Sequence, residues 1–200
     1  MRQLQFGLLV LALSVLAPPS AHAEPGFGHD YLSLSYTRLN PDRDTALQGT
    51  TLTGLAGRLN LSIAEHSWVA LERESLSSEE FDDDSRLGLE YNALLFGAGQ
   101  MITDRGMAYV EAGPSFSHLR QEATVRSVVF AVGIRTRISP RFELGGGPRL
   151  DGRHRLDPDD HEWSMRVQGV FDLSDRVALS GSYDYREESR QWRLGARVRW

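Results

Sequence analysis

The chain contains no cysteine and no lysine, and beyond residue 23 it has no long apolar run. Without cysteine there is no disulfide framework, no thiolate metal site and no lipid-modified N-terminal cysteine. Without lysine, all 22 basic residues are arginine; the 27 acidic residues outnumber them, for a formal charge of −5. An acidic chain offers no overall basic field to a phosphate backbone, so nucleic acid is excluded as an expected partner. After residue 23 nothing approaches the roughly 20 apolar residues that a membrane helix requires, and no stretch keeps a helical period. Any residence in a membrane must therefore use strands.

What is present begins with the N-terminus. Arg2 precedes the apolar run Phe6 to Ala17, which is followed by Pro18-Pro19 and by Ala21-His22-Ala23. A basic start, a short apolar stretch and an A-x-A site make a secretory signal peptide. The expected organisation is a signal peptide over 1–23 and one β-domain over 24–200.

The mature chain alternates at period two in ten short segments, as half-buried strands do. Leu32, Leu34 and Tyr36 oppose Ser33, Ser35 and Thr37; Leu55, Leu59 and Leu61 oppose Ala56, Arg58 and Asn60. A third segment near Trp68 to Ser75 is weak. The fourth sets Leu87, Leu89, Tyr91 and Ala93 against Gly88, Glu90 and Asn92, then loses its alternation near Leu94-Leu95-Phe96, where a bulge is expected to shift the phase. Cleaner segments follow, such as Val128, Phe130, Val132 and Ile134 against Ala131, Gly133 and Arg135. The last is Trp192, Leu194, Ala196, Val198 and Trp200 against Arg193, Arg197 and Arg199. No internal repeat is evident beyond this strand pattern.

The connections differ in length. Tight polar turns at Ala64 to Ser67, Thr103 to Gly106, Ser139-Pro140 and Ser174 to Arg176 mostly alternate with longer charged links, such as Asn40 to Gly49 and Asp151 to Glu162. Short turns at one end and long loops at the other describe an antiparallel up-and-down transmembrane β-barrel, all-β, of ten strands, with eight as the alternative if the weak segments drop out. A soluble barrel would bury the apolar face. A membrane barrel turns that face to lipid and fills its lumen with the charges, expected here to be Arg58, Glu90, Glu111, Arg135, Glu143, Arg166, Asp172, Asp184, Arg193 and Arg197. So many opposite charges in a narrow space would have to pair.

The final strand, with Leu194, Ala196, Val198 and Trp200, resembles the closing strand of Gram-negative outer-membrane proteins, and the chain is similar in size to the small OmpA/OmpX-like barrels, which have eight strands. The resemblance implies the bacterial outer membrane as location, outer-membrane lipid and lipopolysaccharide as surroundings, and the barrel-assembly machinery as the partner that reads the terminal aromatic. A barrel of eight to ten strands is nearly filled by its own side chains. The expected role is therefore a non-enzymatic barrel with a largely closed lumen that serves envelope integrity or presents its loops for adhesion to an unknown surface ligand; a narrow ion-conducting pore is the alternative.

A further alternative is enzymatic. Asp82, Asp83 and Asp84 fall in one long loop and Asp159, Asp160 and His161 in another. The spacing resembles the ten-stranded omptin proteases, and the resemblance implies Asp82, Asp84 and Asp159 with His161 as the base that activates a water. The chain is much shorter than omptins. Arg153-His154-Arg155 has the chemistry for lipopolysaccharide phosphate. No metal and no cofactor is called for, since the histidines have no ligand spacing. Deleting Trp200 is expected to impair assembly into the outer membrane, read as loss of the heat-modifiable band on a gel; normal assembly would contradict the closing-strand reading.

Overall fold

The computed structural model describes residues 27, 30–41, 50–78, 88–119, 124–152, 161–186 and 189–200. The expected signal peptide, Asp82 to Asp84, Arg153 to Arg155 and Asp159 lie outside the described residues. Ten strands run in chain order: β1 (Tyr31–Pro41), β2 (Leu52–Ala64), β3 (Ser67–Ser78), β4 (Gly88–Thr103), β5 (Gly106–Leu119), β6 (Val125–Ser139), β7 (Phe142–Gly152), β8 (His161–Asp172), β9 (Val177–Arg186) and β10 (Ser189–Arg199). Each pairs antiparallel with its neighbours in the chain, and β1 pairs with β10 from Tyr31 opposite Arg199 to Pro41 opposite Ser189, closing the barrel. Closure removes the two edges that an open sheet would leave unpaired.

Alternation dictates what each face of this ring carries. The outward face is apolar: Trp163 is 58% exposed, Ile134 55% and Leu194 64%. From Trp163 to Phe171 the outward face of β8 covers roughly 27 Å of strand, a rise of about 20 Å at the tilt of membrane strands, against an apolar band of about 25 Å on a membrane barrel. Aromatics gather near its borders, with Trp163, Tyr185 and Trp192 toward one end and Phe142, Phe171 and Trp200 toward the other. An apolar surface of this extent is one that hydrocarbon solvates and water does not.

The third and fourth segments both form strands, and β4, at 16 residues, is the longest of the ten. Their phase differs from the expectation. β4 pairs with β3 in unbroken register from Ser67 opposite Ala98 to Ser77 opposite Gly88, so no bulge interrupts Leu94 to Phe96. Leu89, Tyr91, Ala93 and Leu95 therefore face the lumen and Glu90 faces outward, exposed. The reason is that this side of the lumen is itself apolar: Ala93 and Leu95 pack with Phe27, Trp68, Ala70, Met107 and Val129, while Leu89 joins Leu39, Leu52 and Leu76. Where the lumen holds an apolar cluster, an apolar residue does not mark the outward face.

The bulges occur beside the tight turns instead, between Ser62 and Ala64, Met101 and Thr103, and Arg137 and Ser139. These turns carry a repeat that the strand pattern hides: Ile63-Ala64-Glu65-His66, Ile102-Thr103-Asp104-Arg105, Ile138-Ser139-Pro140-Arg141 and Leu173-Ser174-Asp175-Arg176. In each, the carbonyl of the basic residue accepts a backbone N–H from a strand beyond the hairpin, at 2.8 Å, from Gly99, Arg137, Asp172 and Arg199 respectively. In three of them a Thr or Ser hydroxyl also accepts a turn N–H, as such residues do when they stabilise turns. The repeat thus ties each hairpin to the next at one end of the barrel.

Glycine fits one packing need in the lumen. A Cβ on Gly97 would lie 2.1 Å from the indole of Trp68, its cross-strand partner. That indole donates from Nε1 to Glu111 Oε1 at 2.8 Å and cannot move aside without losing the bond. Gly97→Ala is expected to lower stability by about 1–3 kcal/mol, the usual cost of overpacking, measured as a lower urea midpoint; an unchanged midpoint would contradict this packing.

Candidate functional site

The lumen is spanned by side chains that reach past their neighbouring strands. On β5, Glu111 accepts hydrogen bonds from Arg58 of β2 and from Trp68 of β3. Arg58 also donates from Nη1 to Glu72 Oε1 on β3 at 2.6 Å. The other oxygen of Glu72 receives both terminal nitrogens of Arg149 on β7, at 3.1 and 3.2 Å. Arg149 in turn donates to the Tyr91 hydroxyl at 2.5 Å and stands 3.8 Å from Asp151. The chain of contacts links β5, β2, β3, β7 and β4 through the bore.

Two residues further along β3, Glu74 anchors a second brace. Its Oε1 accepts from Gln191 Nε2 at 2.6 Å and its Oε2 from Arg193 Nη2 at 3.2 Å, both on β10. Arg193 Nη1 then donates to Asp184 Oδ2 at 2.5 Å, and Arg166 holds the same carboxylate from Nε at 2.6 Å and Nη2 at 3.0 Å. Such two-point pairing of a guanidinium with a carboxylate is the geometry in which arginine exceeds lysine. It fits a chain in which every basic residue is arginine.

This middle section is balanced in charge, with Arg58, Arg149, Arg166, Arg186 and Arg193 against Glu72, Glu74, Glu111, Asp151 and Asp184. Burying charges is costly unless each meets a partner, and Asp184, 1% exposed, has two. Toward the short turns Arg135 pairs with Glu143 and Arg199 with Asp172, each at 2.7 Å. There Phe27 sits inside the barrel, under the guanidiniums of Arg135 and Arg137. Beside the braces a cavity of about 270 Å³ remains, with the small side chains Ser33, Ser35, Ala56, Ser180 and Ser182 on one wall.

Of the ten charges expected in the lumen, Arg58, Glu111, Arg135, Glu143, Arg166, Asp172, Asp184, Arg193 and Arg197 face it, and Glu90 does not. Glu72, Glu74, Arg149, Asp151 and Gln191 were not among the expected residues, although the two glutamates are the points where the braces meet. Their signal is the even spacing of Trp68, Ala70, Glu72 and Glu74, partly hidden because the outward positions Arg73 and Ser75 are polar too. Leu194, Ala196 and Val198 face outward on β10, opposite Tyr36, Leu34 and Leu32 of β1. His161 opens β8, with its backbone opposite Gly152; its three expected acidic companions lie outside the described residues.

No family model and no curated protein matches the chain. Solved structures do. The chain is similar to the NanC porin, at 8% identity and a TM-score of 0.52 over 85% of this chain and 100% of that one. It is also similar to the KdgM porin, at 9% identity and a TM-score of 0.50 over 84% and 99%. The outer membrane protein OprG from Pseudomonas aeruginosa matches at 10% identity and a TM-score of 0.46, over 86% and 98%. At these identities the likeness to the two porins is one of fold.

Glu72 is the most sensitive point of this network, because its removal leaves Arg58 and Arg149 with one carboxylate fewer between them. Glu72→Leu is expected to cost about 3–5 kcal/mol, as breaking a buried ion pair from one side does, and Glu72→Gln less. The check is urea unfolding of the folded barrel in lipid; a loss below about 1 kcal/mol, typical of exposed pairs, would contradict the bracing role.

Proposed function

We propose that this protein is a small outer-membrane barrel, exported through a cleaved signal peptide, whose lumen is largely closed and whose function is carried by its outer surface and long loops. The observation that supports the closed lumen best is the pair of braces that run from Glu72 to Arg149 and from Glu74 to Arg193, connecting β3 with β7 and with β10 through the bore. A solute on its way through would have to part several two-point ion pairs in a space of low dielectric. The apolar outward band and the aromatics at its borders support the membrane as surroundings.

In this reading the protein is not an enzyme. It adds a rigid, sealed cylinder to the envelope, contacts outer-membrane lipid and lipopolysaccharide on its outside, and presents the loop end to the exterior for interaction with a surface ligand. Terminal-strand recognition by the barrel-assembly machinery belongs to the same proposal, as do the loop arginines Arg153 and Arg155 as contacts for lipopolysaccharide phosphate. The cavity beside the serine wall favours one second reading, a narrow ion-conducting pore.

Conductance separates the two. In a planar bilayer the purified barrel is expected to show no steady openings, and the double variant Glu72→Ala, Arg149→Ala is expected to show them, because a brace across the bore is gone. Steady openings in the unmodified protein would overturn the closed-lumen reading and favour the pore.

A further inference from the structure

Four exposed aliphatic side chains stand at the short-turn end. Ile63 is 63% exposed, Ile102 59%, Ile138 55% and Leu173 52%. Each continues the outward row of its strand, and the three isoleucines are the residues at which the ladder register breaks beside the turn. A bulge leaves its extra residue unpaired and re-aims the side chain. With more than half of each residue open, packing within the chain does not dictate an aliphatic there. Its recurrence at all four turns points to an apolar partner outside the protein.

Three residues further on, each turn carries its basic residue, His66, Arg105, Arg141 or Arg176, and all four are exposed. Their carbonyls accept the same 2.8 Å backbone bond from a strand beyond the hairpin, which holds the four at equivalent places around the rim. In three turns the residue just before the base is an exposed acid: Glu65, Asp104 or Asp175. Glu65 and His66 stand 3.8 Å apart. Among the described residues, the side chains of Asp104, Arg105, Arg141, Asp175 and Arg176 have no ion-pair partner. Adjacent charges of both signs thus lie just beyond an aliphatic side chain.

We infer that this rim is a docking surface for phospholipids with a zwitterionic headgroup. At each turn the aliphatic residue meets the acyl chain and the basic residue meets the phosphate, while the preceding carboxylate takes the headgroup ammonium. The inference rests on the membrane reading of the barrel and adds to it the lipid class that the short-turn end selects. A purely basic rim would favour anionic lipid, but here the carboxylates repel a headgroup that carries negative charge alone. A headgroup with both charges satisfies both partners. Arginine suits the phosphate, and a primary ammonium can donate hydrogen bonds to a carboxylate, which a quaternary one cannot, so ethanolamine is favoured over choline. The turn with Pro140 before Arg141 lacks the acid and keeps the phosphate contact alone.

The test folds the mature barrel in detergent with equimolar phosphatidylethanolamine, phosphatidylcholine and phosphatidylglycerol of matched acyl chains, and counts the lipids that stay bound by native mass spectrometry. The surface requires phosphatidylethanolamine to be retained several-fold over the other two. Arg105→Gln, Arg141→Gln and Arg176→Gln together should remove most of that retention. Asp104→Asn with Asp175→Asn should erase the advantage over phosphatidylcholine and raise the share of phosphatidylglycerol. Both variants leave the backbone bonds of the turns in place, and the heat-modifiable band verifies that each is folded; the aspartate pair carries the test if the arginine triple does not fold. Arg38→Gln, at the loop end of β1, should retain lipid as the unmodified protein does. Equal retention of the three lipids would mean that no headgroup is recognised, and a preference for phosphatidylglycerol would mean a merely basic rim; either result overturns the inference alone. Absence of the heat-modifiable band from the unmodified protein would overturn the membrane reading and this inference with it.

Discussion

The carboxylate of Glu72 stands between the guanidiniums of Arg58 and Arg149, and much of the rest of the barrel's interior is organised around that bridge. At the level of its apolar band a closed sheet has one place for charges, the bore, and there a charge is stabilised by a partner on another strand. Glu72 and Glu74 meet that constraint from adjacent inward positions of β3, one reaching β2 and β7, the other β10. Two glutamates on one strand thereby join opposite parts of the wall.

The same constraint explains the residue types. A lysine could neutralise a carboxylate, but it could not hold two oxygens of one group, as Arg166 holds Asp184, or divide its donors between two acids, as Arg58 does between Glu72 and Glu111. It also explains the apolar side of the lumen. Most of the inward charges stand on β7 to β10 and β2 and meet Glu72 and Glu74 of β3 and Glu111 of β5, while Phe27, Trp68, Leu95, Met107 and Val129 pack together in the remaining space between β3 and β6. The indole of Trp68 joins the two regions, since its ring lies in the apolar cluster and its N–H reaches Glu111.

The architecture was legible from alternation because eight of the ten strands, all but β3 and β4, turn most of their apolar residues outward, and each strand is long enough to repeat the signal. β4 was misread for a physical reason: its inward Leu89, Tyr91, Ala93 and Leu95 are as apolar as a lipid-facing row, so period two gave the alternation but not its direction. The expectation of Glu90 in the lumen follows from that ambiguity, and the residue faces outward. The hubs Glu72 and Glu74 were missed because the outward positions beside them, Arg73, Ser75 and Ser77, are polar near the loop end, where the apolar band has ended. Pairings across the bore, such as Glu72 with Arg149, join residues 77 positions apart, and no local pattern encodes them. The turn repeat from Ile63-Ala64-Glu65-His66 to Leu173-Ser174-Asp175-Arg176 was visible in the sequence, but only once the strand ends were known to align.

The central claim is that the apolar face points outward and the charged face inward. Because the chain has no cysteine, single cysteines placed one at a time from Val128 to Arg135 and carrying a nitroxide label would report each position of β6 in lipid vesicles. Spectra should show high collision rates with oxygen at positions 128, 130, 132 and 134, and protection from it at 129, 131, 133 and 135. The opposite phase, with the even positions shielded and the odd ones open to a water-soluble nickel chelate, would mean a barrel with an apolar core and would contradict the account.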